Sequence, residues 1–292
     1  MNNAVFVSLT ILCLLSVSSI TGLIQVAKAE SGTVTINADG SITPSTAPIY
    51  SADNITYTLT GNITSSHADG IDVERDNIVL DGAGFTVQGE GTGNGIDLSN
   101  ISNVTIENTN IEGWPVGAYL ENSSNNTISD DNMTANNGAG IEFSFSSDNT
   151  IYGNSVASNP NGVWLVSSSN NTISENTITA NYLGASTMES DPVWGVGLML
   201  IDSSNNTVFK NDIQNNTIGI GLGASSDNTL SENILAGNDV GINLELSGTM
   251  SPEYSSNNVI YHNSFLNNGQ HAIGGLQNVW DNGTSGTIGA TF

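Results

Sequence analysis

Residues Gly140-Ile141-Glu142-Phe143-Ser144-Phe145-Ser146-Ser147-Asp148-Asn149-Thr150-Ile151-Tyr152-Gly153-Asn154-Ser155-Val156-Ala157-Ser158-Asn159 are followed after two residues by Gly162-Val163-Trp164-Leu165 and then Asn171-Thr172-Ile173, Asn176, Ile178 and Asn181. Laid over each other, the two stretches agree in phase: a Gly-apolar-x-apolar unit, an Asn-Thr-Ile phrase, then Asn, an apolar residue and Asn again. Working outward, the apolar residue of the phrase recurs at Ile106, Ile128, Ile151, Ile173, Val208, Leu230 and Ile260, in steps of 22, 23, 22, 35, 22 and 30, with Leu80 a further 26 upstream. Five residues later stand Phe85, Ile111, Met133, Val156, Ile178, Ile213, Leu235 and Phe265. Eleven residues earlier stand Gly95, Gly117, Gly140, Gly162, Gly197 and Gly219. A fixed period of this size marks a repeat architecture.

Each repeat contains three short runs of alternating character separated by Ser, Asn, Asp and Gly, and none is long enough for a helix. Three strands and three turns in about 22 residues make one triangular coil, and stacking pairs each strand with its copy at about 4.8 Å. The expected fold is therefore all-β: a single-stranded right-handed parallel β-helix, a solenoid of about eight coils. Its interior should be columns such as Ile141 on Val163 on Leu198 on Ile220 on Ile242. Three further columns are asparagine: Asn126, Asn149, Asn171, Asn206, Asn228 and Asn258; Asn154, Asn176, Asn211, Asn233 and Asn263; Asn136, Asn159, Asn181, Asn216, Asn238 and Asn268. Asn tolerates the left-handed backbone of tight turns, and stacked carboxamides can hydrogen-bond along a column. These three columns hold 17 of the 41 Asn, and most of the Asn reads as structural. Asp131 stands in one of them as a turn residue.

Composition sets the limits on function. The 292 residues carry 3 Lys+Arg against 28 Asp+Glu, a formal net charge of −25. Nucleic acid and anionic membranes need the cations this chain lacks. One Cys, Cys13, excludes an internal disulfide. The apolar run 4–24 followed by Ala27-Lys28-Ala29 reads as a signal peptide over 1–29, with an uncleaved anchor as the alternative. The remaining divisions are an amino-terminal cap with first strands over 30–69, repeats over 70–277, and a shortened tail over 278–292. The expected location is extracellular, at the cell surface. Asn-x-Ser/Thr sites, among them Asn125, Asn170 and Asn205 at one corner phase, are possible glycan acceptors on an exported chain.

The phrase Gly-Ile-x-Leu-x-x-Ser-Ser-Asn-Asn-Thr-Ile-x-x-Asn resembles the NosD-like, carbohydrate-binding and sugar-hydrolase (CASH) group of right-handed β-helix proteins, abundant on archaeal cell surfaces. The opening Ala38-Asp39-Gly40-Ser41-Ile42 and Val73 through Gly84 are similar to the cap of archaeal members, so the resemblance covers about 32–282. It is specific for fold and weak for activity, because the shared residues are the stacking ones. The tail departs from relatives after Asn278-Val279-Trp280-Asp281-Asn282-Gly283, so either the carboxy-terminal cap is shortened or the sequence is truncated there; exposed edges on the last coil would invite pairing with another chain.

Right-handed β-helices also host pectate lyases, polygalacturonases and uronan epimerases. Their sites need clustered cations or an Asp cluster with His, and Arg75, Lys210 and the scattered His67, His262 and His271 supply neither. No cofactor is expected. No metal-ligand spacing appears, copper lacks a Cys/Met/His cluster, and Ca²⁺ is the one ion that Asp/Asn-rich turns could attract. The outward position of the Gly-apolar-x-apolar strand reads Asp97, Tyr119, Glu142, Trp164, Met199, Gly221 and Asn243. With Trp114 in the turn before Tyr119, and Tyr182, Asp191 and Trp194 in a 13-residue insertion, this predicts a ligand-binding strip of Trp114, Tyr119, Glu142, Trp164, Tyr182, Asp191 and Trp194 for a polysaccharide or surface glycan. Asp97 and Glu142, two coils apart at about 9.6 Å, suit an inverting glycosidase less well. The sequence thus points to non-catalytic recognition of a glycan, or of a surface-layer or cell-envelope protein. A glycosidase or lyase of β-helix type and a purely structural surface or adhesion element are the alternatives.

Overall fold

The computed structural model describes residues 32–90, 92–182, 195–246, 254–274 and 277–281. Among the described residues there is no helix, and 31 strands of two to seven residues wind as a parallel β-helix. Three sheets of 11, 11 and 9 strands form its faces, and sequence neighbours lie on different faces. Face 1 holds the Gly-apolar-x-apolar strands, from Asn94–Ser99 through Val116–Glu121, Ala139–Ser144, Asn161–Val166, Val196–Ile201 and Ile218–Gly223 to Val240–Leu246. Face 2 holds the Asn-Thr-Ile strands, such as Thr127–Ser129 and Thr150–Tyr152, and face 3 holds strands such as Asn132–Thr134 and Ser155–Ala157. The chain makes about nine turns, one more than the repeat count suggested. At the amino-terminal end, Val34–Ile36 pairs antiparallel with Ile42–Thr43, and Ile49–Tyr50 with Thr56–Leu59, before parallel stacking takes over.

The expected columns form in register. Ile141 pairs with Val163, Val163 with Leu198, Leu198 with Ile220 and Ile220 with Ile242, and all five are fully buried. Ile128, Ile151 and Ile173 stack likewise on face 2. One column member differs: Ile111 pairs with Val87, not Phe85. The step from Leu80 to Ile106 is four residues longer than the basic repeat, and the turn around Gly82–Gly84 absorbs part of the excess. The glycine column is explained by space. A Cβ on Gly162 would stand 2.3 Å from the carbonyl oxygen of Gly197, and one on Gly117 2.5 Å from that of Gly140. The coils approach too closely there for any side chain.

The asparagine ladders are present at all three corners, with a division of labour that the sequence reading did not separate. The left-handed residue is the one before each ladder position: Asn125, Asp148 and Asn170 at the first corner; Asp130, Glu175 and Lys210 at the second; Ala135, Ser158 and Ala180 at the third. The ladder Asn itself works through its carboxamide. Asn176 Oδ1 accepts from the backbone N–H of Asn154 at 3.0 Å, while its Nδ2 donates to the carbonyl of Ile151 at 3.1 Å and to Asn211 Oδ1 at 2.9 Å. Each ladder carboxamide is thus paired one coil up or down, worth about 1 kcal/mol net per bond and more if left unmade. A serine ladder runs beside the first corner: the backbone N–H groups of Ser123, Ser146, Ser168, Ser203 and Ser225 each donate to the hydroxyl of the next member, ending at Ser255.

Candidate functional site

The outward column of face 1 is assembled as the register demands. Asp72 pairs with Asp97, Asp97 with Tyr119, Tyr119 with Glu142, Glu142 with Trp164 and Trp164 with Met199. From Asp72 to Trp164 the line spans four steps, about 19 Å. Asp72 extends it one coil beyond the sequence reading; its Ile71-Asp72-Val73 strand follows Gly70 and could have been aligned with the later glycine units.

The groups on this line are half-buried carboxylates and aromatics. Asp97 is held by Asn94 Nδ2 at 2.9 Å, by the Ser99 backbone N–H at 3.0 Å and by the Ser99 hydroxyl at 2.6 Å. Burial, and then the facing charges of Asp97, Glu74 and Asp69, push the Asp72 carboxyl up to about 6. Burial raises Glu142, and burial followed by Glu121 and Glu142 raises the Tyr119 hydroxyl. All these shifts oppose further negative charge. No strand of face 1 carries Lys or Arg. Arg75 is engaged with the carbonyls of Ala38 at 2.8 Å and Asn54 at 3.2 Å, and Lys210 stands over the Phe209 ring on face 2.

Two members of the predicted strip, Trp114 and Tyr182, are placed elsewhere. Trp114 is fully buried inside the first coils. It occupies a ladder position: its backbone N–H donates to Asn136 Oδ1, and its indole N–H donates to the Val87 carbonyl at 3.1 Å. That carbonyl is the counterpart of the one which Asn136 Nδ2 reaches at Ile111. The indole therefore does the donor work of a ladder Asn and fills space beside Gly89, where a Cβ would lie 2.4 Å from the ring. Met199 is also fully buried, in a satellite cluster with Val196, Ile201 and Ile218, against which Trp164 packs. The Trp164 indole nitrogen is enclosed and has no partner. Tyr182 is 59% exposed at the third corner, its backbone N–H on the Asn159 carbonyl. Asp191 and Trp194 lie outside the described residues. The open line is therefore Asp72, Asp97, Tyr119, Glu142 and the free edge of Trp164.

Polar clefts occur off this line. One of about 410 Å³ at the second corner is lined by Asp81, Asn108, Thr109, Asn110, Asp130 and Asn132, among others. Among the described residues no group of three or more His, Cys, Asp or Glu could hold a metal ion.

Residues 26–194, more than half of the chain, match the family described as "Periplasmic copper-binding protein (NosD)". Residues 158–288 match the one described as "Right handed beta helix region". The chain belongs to the NosD family. No curated protein shows significant sequence similarity to it. Among solved structures it is similar to pectate lyase Pel9A (15% identity, TM-score 0.56, covering 89% of this chain and 69% of that one). It is also similar to the periplasmic alginate epimerase AlgG (18% identity, TM-score 0.55, 71% and 51%). A third is tailspike protein 2 of Escherichia coli O157:H7 bacteriophage CAB120 (14% identity, TM-score 0.55, 71% and 31%). The chain spans about half of the epimerase and a third of the tailspike, and at these identities the likeness is one of fold. The described residues do not fit the copper site in the family's description. His67 lies near the amino-terminal end and His262 and His271 in the last coil, and Met133 and Met199 are fully buried on separate faces.

Proposed function

We propose that this member of the NosD family is an exported envelope β-helix that binds an uncharged glycan along the open line of face 1, without catalysis. The observation that carries the reading is the single outward column Asp72, Asp97, Tyr119, Glu142, Trp164 on a sheet whose strands carry no Lys or Arg. Aromatic faces offer sugars an apolar surface, and carboxylates accept hydroxyl protons. A repeat of about 4.8 Å lets successive sugar units meet successive coils. The family's description as periplasmic and the carbohydrate-acting β-helix neighbours support an envelope location and a glycan ligand. The line's charge argues against polyuronates such as alginate or pectate, because uronates at Asp72, Asp97 and Glu142 would face carboxylates with no cation between them. The archaeal surface origin suggested by the resemblance is compatible with this reading.

The test is retention of the purified protein on insoluble neutral polysaccharides and on cross-linked polygalacturonate, beside Tyr119→Ala and Trp164→Ala. Retention on a neutral polymer that both variants weaken is expected. Equal retention of all three proteins would eliminate the strip. The glycosidase alternative rests on Asp97 and Glu142 sharing the column, with Glu142 biased toward its acid form; release of reducing ends that Glu142→Gln abolishes would favour it.

A further inference from the structure

The second-corner ladder contains one acid among amides. In Asn154, Asn176 and Asn211 the Oδ1 accepts the backbone N–H of the preceding coil, and the Nδ2 donates both to the face 2 carbonyl one coil back and to a neighbouring carbonyl two residues earlier. Asp131 keeps the first half of this pattern: its Oδ1 accepts the Thr109 N–H at 2.7 Å. Its Oδ2 takes the place of the amide nitrogen and has no partner, although the side chain is almost fully buried. By ladder equivalence the groups awaiting a donor there are the carbonyls of Ile106 and Ser129 and the Oδ1 of Asn154, which already accepts the Asp131 N–H at 3.0 Å. All three are acceptors, while the Thr109 backbone N–H and hydroxyl donate to the carboxyl. An ionised Oδ2 among the three acceptors would be a buried charge with no cation beside it.

We infer that Asp131 is held as the neutral acid, its Oδ2 proton donated into the ladder in place of an amide hydrogen, and that ionisation at alkaline pH loosens this corner. The proton passes to solvent base, and the corner loses its one donor there. The charged groups acting on Asp131 are Asp130 beside it and Glu107 on the preceding coil, both acids that resist its ionisation. Burial is the largest cause; it outweighs the Thr109 backbone N–H and hydroxyl, which favour the charged form, and the carboxyl is pushed up to about 8. Thr109, Asp130 and Asn132, the ladder and chain neighbours of Asp131, line the 410 Å³ cleft, so loosening the corner moves a wall of that cleft. The device is thus an alkaline-sensitive joint between two coils.

The sign follows from linkage. The folded state binds this proton more tightly than the unfolded chain, so stability is greatest below the ordinary value of 3.8 and is lost as pH rises toward about 8. Across that window the folding equilibrium should fall by up to about tenfold per pH unit relative to Asp131→Asn, and level off above it. Two measurements test this on the full-length protein. The carboxylic-acid carbonyl band in the infrared difference between wild type and Asp131→Asn should be present at pH 7 and vanish at pH 10. Hydrogen exchange of peptides within 105–134, corrected for intrinsic rates, should lose protection from pH 6 to pH 9 in wild type and not in Asp131→Asn. Asp130→Asn should leave the band in place. A missing band at pH 7, or the same pH dependence of exchange in wild type and Asp131→Asn, would overturn the inference.

Discussion

Replacing Trp114 with Ala separates a binding residue from a structural one. The indole is fully buried, so its removal forfeits all the apolar burial it makes. A buried Trp covers about 150–250 Å², worth roughly 4–6 kcal/mol at 25 cal/mol per Å². The indole N–H bond to Val87 adds about 1 kcal/mol, and the vacated carbonyl would be left without a donor. Partial collapse around Gly89 and Gly95 reduces the sum, which places the loss at about 3–5 kcal/mol, the range typical of Trp truncations in cores. That is about a fifth or more of the stability of an ordinary domain. Solenoids unfold partly repeat by repeat, so the assay should combine urea unfolding followed by circular dichroism with hydrogen exchange over the coils carrying Val87, Gly95 and Ile111. Trp114→Phe should keep most of the packing and lose the donor, costing about 1–3 kcal/mol. A loss below 1 kcal/mol in the Ala variant, with glycan retention abolished, would refute the placement and return Trp114 to the strip.

Other outcomes follow from the same geometry. Gly162→Ala puts a Cβ 2.3 Å from the Gly197 carbonyl oxygen and should cost about 1–3 kcal/mol or more in thermal unfolding, whereas exposed Gly84, with open space around it but a left-handed backbone, should cost less. Asn176→Asp would build a second acid into the same ladder, and its thermal midpoint should fall below wild type increasingly from pH 5 to pH 8. Asp72 is raised to about 6 chiefly by burial, so the folded state gives up stability as pH climbs from 3.8 toward that value; Asp72→Asn should flatten the thermal midpoint over that interval. Neutral-glycan retention should change little with salt, since no ion pair is expected in the contact.

Much of the fold could be read from residue spacing. The apolar columns, the glycine column and the asparagine corners are periodic, and a parallel stack converts periodicity directly into contact: Ile128, Ile151 and Ile173 are neighbours because they share a phase. The same rule brought Asp97, Tyr119, Glu142 and Trp164 into one line. It failed where the period breaks. The longer turn after Leu80 shifted a column from Phe85 to Val87. The serine ladder is as periodic as the asparagine ones, five residues before each face 2 marker, and was open to the same reading.

By itself the sequence determined the period, and with it which side chains stack, because a coil of fixed length leaves each residue only one neighbour above and one below. Tertiary structure alone decided which side of the wall a corner residue occupies. At a corner the chain turns rather than alternates, so strand parity gives no direction; the outcome depends on the void within and the donor required. Trp114 went inside because the first coils had room beside Gly89 and an unpaired Val87 carbonyl to satisfy. Met199, on an outward position by parity, was covered because satellite residues packed over it. The protonation of Asp131 is decided in the same way, by the three acceptors that three coils bring around one oxygen.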